Sequence, residues 1–250
     1  MNNRPNNNLI NYLLYLADSN LILSHRNSEW CGHGPILEQD IALTNISLDL
    51  IGQARNFYQY AASLIGNNTT EDSLAYLRDT NDFKNCLLTE QPNGDWAQTI
   101  LKQFFFSTYQ YYLYQQLQNN IDEQIKSIAA KALKEVTYHV RWSSEWIIRL
   151  GDGTAESKKR LLNALNELWM FTGELFDAAD YEKEMSIDFT ALKNDWSKKI
   201  DSVFEEATIE VPKENKWFQS GGKNGIHSEH LGHILAELQF VQRAYSNSEW

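Results

Sequence analysis

The residues best suited to chemistry in this chain are a few histidines and the acids near them. The stretch KALKEVTYHVRWSSEWIIRL, residues 131–150, places Ala132, Leu133, Val136, Val140, Ile147 and Leu150 at three- and four-residue spacings, the pattern of a helix with one apolar face, and Gly151 is expected to end it. His139 lies on that face one turn after Val136. A helix holding half of a dinuclear iron site carries a Glu-x-x-His pair at such positions, because iron that activates oxygen needs hard carboxylate oxygens, imidazole nitrogens and open positions. The glutamate position here is valine, and the chain contains no Glu-x-x-His or Asp-x-x-His at all.

Three other groupings could do chemistry. Glu135 and His139, four residues apart, share a helical face and read as a hydrogen-bonded or solvated pair. His227, Glu229, His230 and His233 form the densest polar cluster; they fit a metal site loosely and a capped helix start with interface histidines better. Glu29, Cys31 and His33 lie in a Gly- and Pro-containing loop with no nucleophile motif behind them, and Gly221-Gly222-Lys223 only weakly resembles a phosphate cradle.

The elements that must position these groups are all helical. Spacing predicts helices from Leu9 to about His25, Ile36 to Leu64, a short one within 71–90, then Trp96–Leu117 after an N-cap at Asp95, with Thr70 or Asp72 as a further N-cap. Residues 131–150 supply the fourth long helix, and further helices are expected over about 156–179, 188–207 and 228–245. On the third long helix Phe104, Phe105, Phe106, Tyr109, Tyr111, Tyr112 and Tyr114 cover more than one face, so it must be buried on several sides. Four long helices in succession with no strand-period segment imply an all-α bundle: one domain over 1–250, with a core bundle at about 9–150 and a C-terminal helical extension at about 155–250.

Composition narrows the partners. A formal charge of -11 over 250 residues argues against nucleic acid or an anionic membrane surface. No run has the length of a membrane span, the Asn-rich start lacks a secretion-signal core, and two cysteines, Cys31 and Cys86, suit a reducing cytoplasm.

Several long segments in order, SEWCGHGPILEQDIALTNISLDLIGQARNFYQYAA, TEQPNGDWAQTI, KALKEVTYHVRWSSEW, LWMFTGELFD and GGKNGIHSEHLGHILAELQFVQR, are similar to the PaaC family, one of the components of the bacterial phenylacetyl-CoA epoxidase. The resemblance covers nearly the whole chain. It implies a ferritin-like four-helix bundle with additional C-terminal helices and a degenerate metal site. The family's complex inserts one oxygen atom into the ring of phenylacetyl-CoA. The di-iron centre belongs to a related catalytic A subunit, which forms a heterodimer and higher assemblies with the PaaC component, and a reductase carrying flavin and iron–sulfur centres supplies electrons from NADPH. By that resemblance the sister's ligand positions fall at Asn20, Leu50, Gln53, near Ser107, Val136 and His139, where only the last is a good ligand.

The expected role is therefore a non-catalytic structural subunit in phenylacetate catabolism, with no cofactor of its own. The alternatives are a stand-alone bundle that binds an acyl-CoA or other small ligand, and an active di-iron oxygenase with ligands in unconventional places.

Overall fold

The computed structural model describes residues 7–212, 217–245 and 248. The first six residues of the Asn-rich start, and Lys213–Lys216 within the irregular segment before the last helices, lie outside the described residues.

Ten α-helices are described: α1 (Asn7–Ser28), α2 (Leu37–Ile65), α3 (Glu71–Tyr76), α4 (Leu87–Glu90), α5 (Trp96–Leu117), α6 (Glu123–Gly151), α7 (Ala155–Leu168), α8 (Phe189–Glu206), α9 (Glu229–Leu238) and α10 (Phe240–Ala244). Among the described residues there is no strand. The four long helices α1, α2, α5 and α6 form the bundle: α1 lies along α2, α5 along α6, and α2 meets α6 across the centre. This is the all-α, ferritin-like architecture that the spacing and the resemblance imply.

Two helices are buried on more than one side. In α1 every residue from Tyr12 to Ser24 is buried, because α2 covers one flank and α4 with the turn Asp180–Glu182 covers another. In α5 the aromatic run faces α7 and α8 as well as α6, and Phe105 meets Trp169, Trp196 and Phe204 with ring centroids 5.7, 5.6 and 6.2 Å away. Folded-back C-terminal helices thus cover the aromatic surface of α5, which stabilises it by burial and by tilted ring contacts.

The caps follow residue chemistry. Thr70 and Asp95 accept hydrogen bonds from Ser73 N and Gln98 N, as expected of N-caps. Asp122 caps α6 with bonds from Gln124 N and Ile125 N at 2.9 and 3.0 Å, so this helix starts well before Lys131. Gly151 is the last residue of α6 rather than its stop signal. A Cβ there would lie 2.3 Å from the Ala207 carbonyl, so the glycine serves the close approach of α8's end, and Asp152 is the C-cap.

One expected helix is shorter than its pattern. The apolar spacing continues from α7 to about 179, but the α-helix ends at Leu168, and 3-10 turns follow at Trp169–Phe171, Gly173–Phe176 and Asp180–Glu182. The cause is tertiary. Gly173 is pressed against Phe218, where a Cβ would come within 2.4 Å of the ring, and Glu174 must turn inward to reach the amides of Leu87 and Gly221 at 2.6 and 2.8 Å. The last expected helix is also divided, at Gln239, whose side-chain amide donates to the carbonyls of Ala75 and Arg78.

Candidate functional site: a neutral bundle centre

The six positions singled out for a metal all point into the bundle interior. Asn20 on α1, Leu50 and Gln53 on α2, Ser107 on α5, and Val136 and His139 on α6 are each at most 1% exposed. Two of them, Asn20 and Gln53, belong to a chain of hydrogen bonds among uncharged groups that ends at the Glu135 carboxyl. Asn20 Nδ2 donates to the Leu16 carbonyl at 2.8 Å, which fixes the amide so that its oxygen accepts from Gln110 Nε2 at 2.7 Å. The Tyr114 hydroxyl accepts from Asn20 and Gln110, both at 3.2 Å, and donates to Gln53 Oε1 at 3.2 Å. Gln53 Nε2 then donates to Glu135 at 2.9 Å.

Gln110 and Tyr114 thus replace Ser107 as the contribution of α5 to the network. Ser107 lies one turn earlier, bonded weakly to the Phe104 carbonyl and to Ser143 at 3.4 and 3.5 Å. Sequence reasoning passed over both residues; the available signal was polar groups at 107, 110 and 114, one per turn, inside an aromatic helix. Burial pushes the Tyr114 phenol up to about 12, so it remains a neutral donor. Burial also raises the Glu135 carboxyl above the ordinary carboxylate range, against the lowering effect of Gln53.

Glu135 and His139 do not pair with each other, contrary to the expectation from their spacing. His139 Nε2 lies 3.0 Å from Asp49 Oδ2, while Glu135 turns to Gln53, so α2 supplies a separate partner to each. The His139 ring is fully buried and its Nδ1 has no hydrogen-bond partner.

These donors do not fit a dinuclear iron centre. Two of the six positions, Leu50 and Val136, are hydrocarbon, Asn20 and Gln53 present amides already bonded to one another's neighbours, and no three His, Cys, Asp or Glu side chains converge among the described residues. The orphan atoms left over, Gln110 Oε1 and His139 Nδ1, are one amide oxygen and one imidazole nitrogen. Neither can replace the bridging carboxylates that hold two cations together.

The other sequence candidates separate. His227 turns inward, with Nδ1 2.8 Å from Glu90 and Nε2 2.9 Å from the Phe83 carbonyl, while Glu229 and His233 are exposed and His230 is half-buried. The cluster therefore gathers no shared site. Its one buried member joins α9 to α4, and Glu90 also accepts from Asn85 and from both the amide and the hydroxyl of Ser228.

Lys223 of the Gly-Gly-Lys segment forms no phosphate cradle. It is buried, and its ammonium lies 2.8 Å from Glu182 and 3.0 Å from the Asp177 carbonyl. Cys31 is exposed and unbridged, and nearby Glu29 is bonded to Arg26 and Asn93.

A groove of about 870 Å³ opens between α7, α8 and the segment before α9, floored by Trp169, Phe176 and Trp196. Among the described residues lining it the cation is Lys193, set against Asp177 and Asp201.

A model of the phenylacetic acid catabolic protein family matches residues 1–250. The chain belongs to that family. Over 249 residues it is 46% identical to the C component of the 1,2-phenylacetyl-CoA epoxidase of Escherichia coli (strain K12), covering 98% of this chain and 100% of that relative. No helix among the described residues of this family member is long and apolar enough to cross a membrane.

Proposed function

We propose that this chain is a structural, non-catalytic subunit of a phenylacetyl-CoA epoxidase, which holds and stabilises the related di-iron A subunit in aerobic phenylacetate degradation. The observation that carries this reading is the end-to-end, 46% match to the C component of that enzyme in Escherichia coli. The donor set of the bundle centre supports it, since an amide (Asn20), a hydroxyl (Ser107) and hydrocarbon (Leu50, Val136) occupy the positions where a metal-bearing bundle needs carboxylates. In this role the neutral network is structural: it pairs most of the polar groups buried at this centre with one another. The oxygen chemistry, the iron and the electrons from NADPH through the reductase belong to the other subunits. A cytoplasmic location follows from that role.

Co-expression tests it. The A subunit with an affinity tag should retain this chain, gain soluble yield from it, and convert phenylacetyl-CoA to its ring epoxide only when the reductase and NADPH are added. Failure of the two chains to associate overturns the reading, and so does near-stoichiometric iron with turnover in the isolated chain.

A further inference from the structure

The groove between α7, α8 and the segment before α9 takes no part in the bundle centre, and defined contacts hold both its floor and its wall. Trp196 is in the floor and only 3% exposed; its indole Nε1 donates to the Phe105 carbonyl at 3.0 Å, which fixes the ring. Phe176 and Trp169 stand beside it, with ring centroids 5.3 and 6.0 Å away. The wall that carries Trp217 and Phe218 is fastened to this floor in two places. The Gln219 amide donates to the Met170 carbonyl at 2.9 Å, and Phe218 presses on Gly173. Trp217 nevertheless remains 60% exposed. An indole left in water on a fastened wall contributes little burial to folding, so that area is there for a ligand to cover. The volume of about 870 Å³ lies within the roughly 300–1,000 Å³ of small-molecule sites.

We propose that this groove binds a small organic cation, an ammonium group carried on an aromatic or aliphatic body. Charge and rings select the same ligand. Two exposed carboxylates, Asp177 and Asp201, line the groove with one exposed ammonium, Lys193, so the lining carries a surplus of negative charge. Lys183, whose charge also reaches Asp177, is held by Asp180 at 2.7 Å. No arginine or histidine is among the described residues lining the groove, so an anion of the same size would meet acid without a guanidinium or imidazole to bind it. The indoles of Trp169, Trp196 and Trp217 act in the same direction. An aromatic ring attracts a cation that comes within about 6 Å of its centroid, because the face of the ring is the negative pole of its quadrupole, and the attraction grows where water is excluded. A neutral molecule would gain the apolar contact and neither charge effect. The site is argued from its own lining, away from the bundle centre, and therefore stands whether or not the chain is an epoxidase subunit.

Isothermal titration calorimetry of the full chain with benzyltrimethylammonium tests it, with far-UV circular dichroism confirming that each variant is folded. The wild type should bind the cation saturably, with a Kd below about 1 mM. Benzyl alcohol, a neutral aromatic, should bind about tenfold more weakly, and phenylacetate, an aromatic anion, should give no saturable heat. Trp217→Ala should weaken the cation by about tenfold, and Asp177→Asn combined with Asp201→Asn by a similar factor. Lys193→Gln should tighten it by about threefold, a gain that a merely structural role for the groove would not produce. Ile121→Lys, at an exposed apolar position outside the groove, should change nothing. Absence of saturable binding by the cation overturns the proposal, as does equal or tighter binding of phenylacetate or benzyl alcohol. Cation binding that is indifferent to Trp217→Ala or to the paired aspartate changes overturns it too. So does an affinity that Lys193→Gln leaves unchanged or lowers.

Discussion

Gln110 on α5 donates a 2.7 Å hydrogen bond to Asn20 on α1, at the point where a metal-bearing bundle would set a carboxylate against a cation. The pair is uncharged and sealed from water. Each such bond contributes about 1 kcal/mol net, whereas an unpaired charge at the same place costs several. Asn20→Asp should therefore lower stability by about 3 kcal/mol or more at pH 7.5, because a carboxylate there faces the Leu16 carbonyl and gains no cation. Burial raises the folded pKa of such an acid above its unfolded value, so the loss is absent at pH below the unfolded value and grows as pH rises through the folded one. Urea midpoints at pH 4.5 and 7.5 measure it. A gap from wild type that stays constant between those pH values would show that water or a cation reaches the centre.

A second consequence concerns His227 and Glu90, whose side chains meet at 2.8 Å across 137 residues of sequence. Both ring nitrogens of His227 face acceptors, Glu90 and the Phe83 carbonyl, so the imidazolium is the form that satisfies both. Burial lowers the His227 pKa, but the Glu90 bond, its charge and the Phe83 carbonyl together outweigh that, and the net shift is upward. A folded value above the unfolded one gives stability that is complete below the unfolded pKa of about 6.5 and is lost as pH rises through the folded value. His227→Phe should accordingly destabilise most at pH 6 and progressively less at higher pH. Hydrogen exchange in α9 reads the effect locally, since this pair ties α9 to α4, and protection that is equal in both proteins at pH 6 would count against it.

These two pairs show which parts of the molecule were legible in its sequence. The bundle helices were, since apolar residues at three- and four-residue spacing and caps such as Thr70 and Asp95 are local signals. The end of α7 was not, because Leu175 and Phe176 keep the helical spacing while Phe218 and the inward turn of Glu174 redirect the backbone. The centre was half legible. Asn20, Gln53, Val136 and His139 came from the resemblance, but Gln110 and Tyr114 join the network through partners 57 to 94 residues away, and spacing carries no trace of those. Asp49 as the partner of His139, and Glu90 as that of His227, are hidden for the same reason.

Lys102 yields a prediction of opposite sign. It is fully buried on α5, and its nitrogen lies 2.6 Å from the Gln91 carbonyl, 3.0 Å from Asn93 Oδ1 and 3.4 Å from the Pro92 carbonyl, with no carboxylate among these acceptors. Burial, aided by the nearby charge of Arg26, lowers its pKa to about 7. Between that value and its unfolded one the unfolded chain binds the extra proton, so stability is fully regained above the unfolded pKa and is lost as pH falls toward 7. The slope is that of one proton, about 1.4 kcal/mol per pH unit. Lys102→Met should remove this slope between pH 7.5 and 9, read as the difference in urea midpoint from wild type. A difference independent of pH would mean that the ammonium persists in the folded interior.

The densest buried ion pair gives the most direct comparison of charge with hydrocarbon. Asp18, fully buried on α1, is bound by both terminal nitrogens of Arg78, by the Tyr58 hydroxyl and by the Lys84 amide at 2.8 Å, while Phe83 lies under the guanidinium, 4.2 Å from its carbon. Every oxygen lone pair of the carboxylate that faces the interior is thus engaged, and the pair fastens the segment after α3 to the centre of α1. Burial by itself disfavours the charge on Arg78; Asp18 outweighs it and holds the guanidinium ionised. Removing one partner leaves the other charged and unmatched, so Asp18→Leu alone should cost about 3 to 5 kcal/mol. Combining Asp18→Leu with Arg78→Met replaces both charges by hydrocarbon of similar volume and should recover most of that loss, since the desolvation of two ions disappears together with their attraction. Thermal and urea unfolding of the two single variants and the double variant close the cycle. If the double variant is as unstable as the worse single one, the pair contributes a net attraction that hydrocarbon cannot replace, and the bundle depends on charge at this point after all.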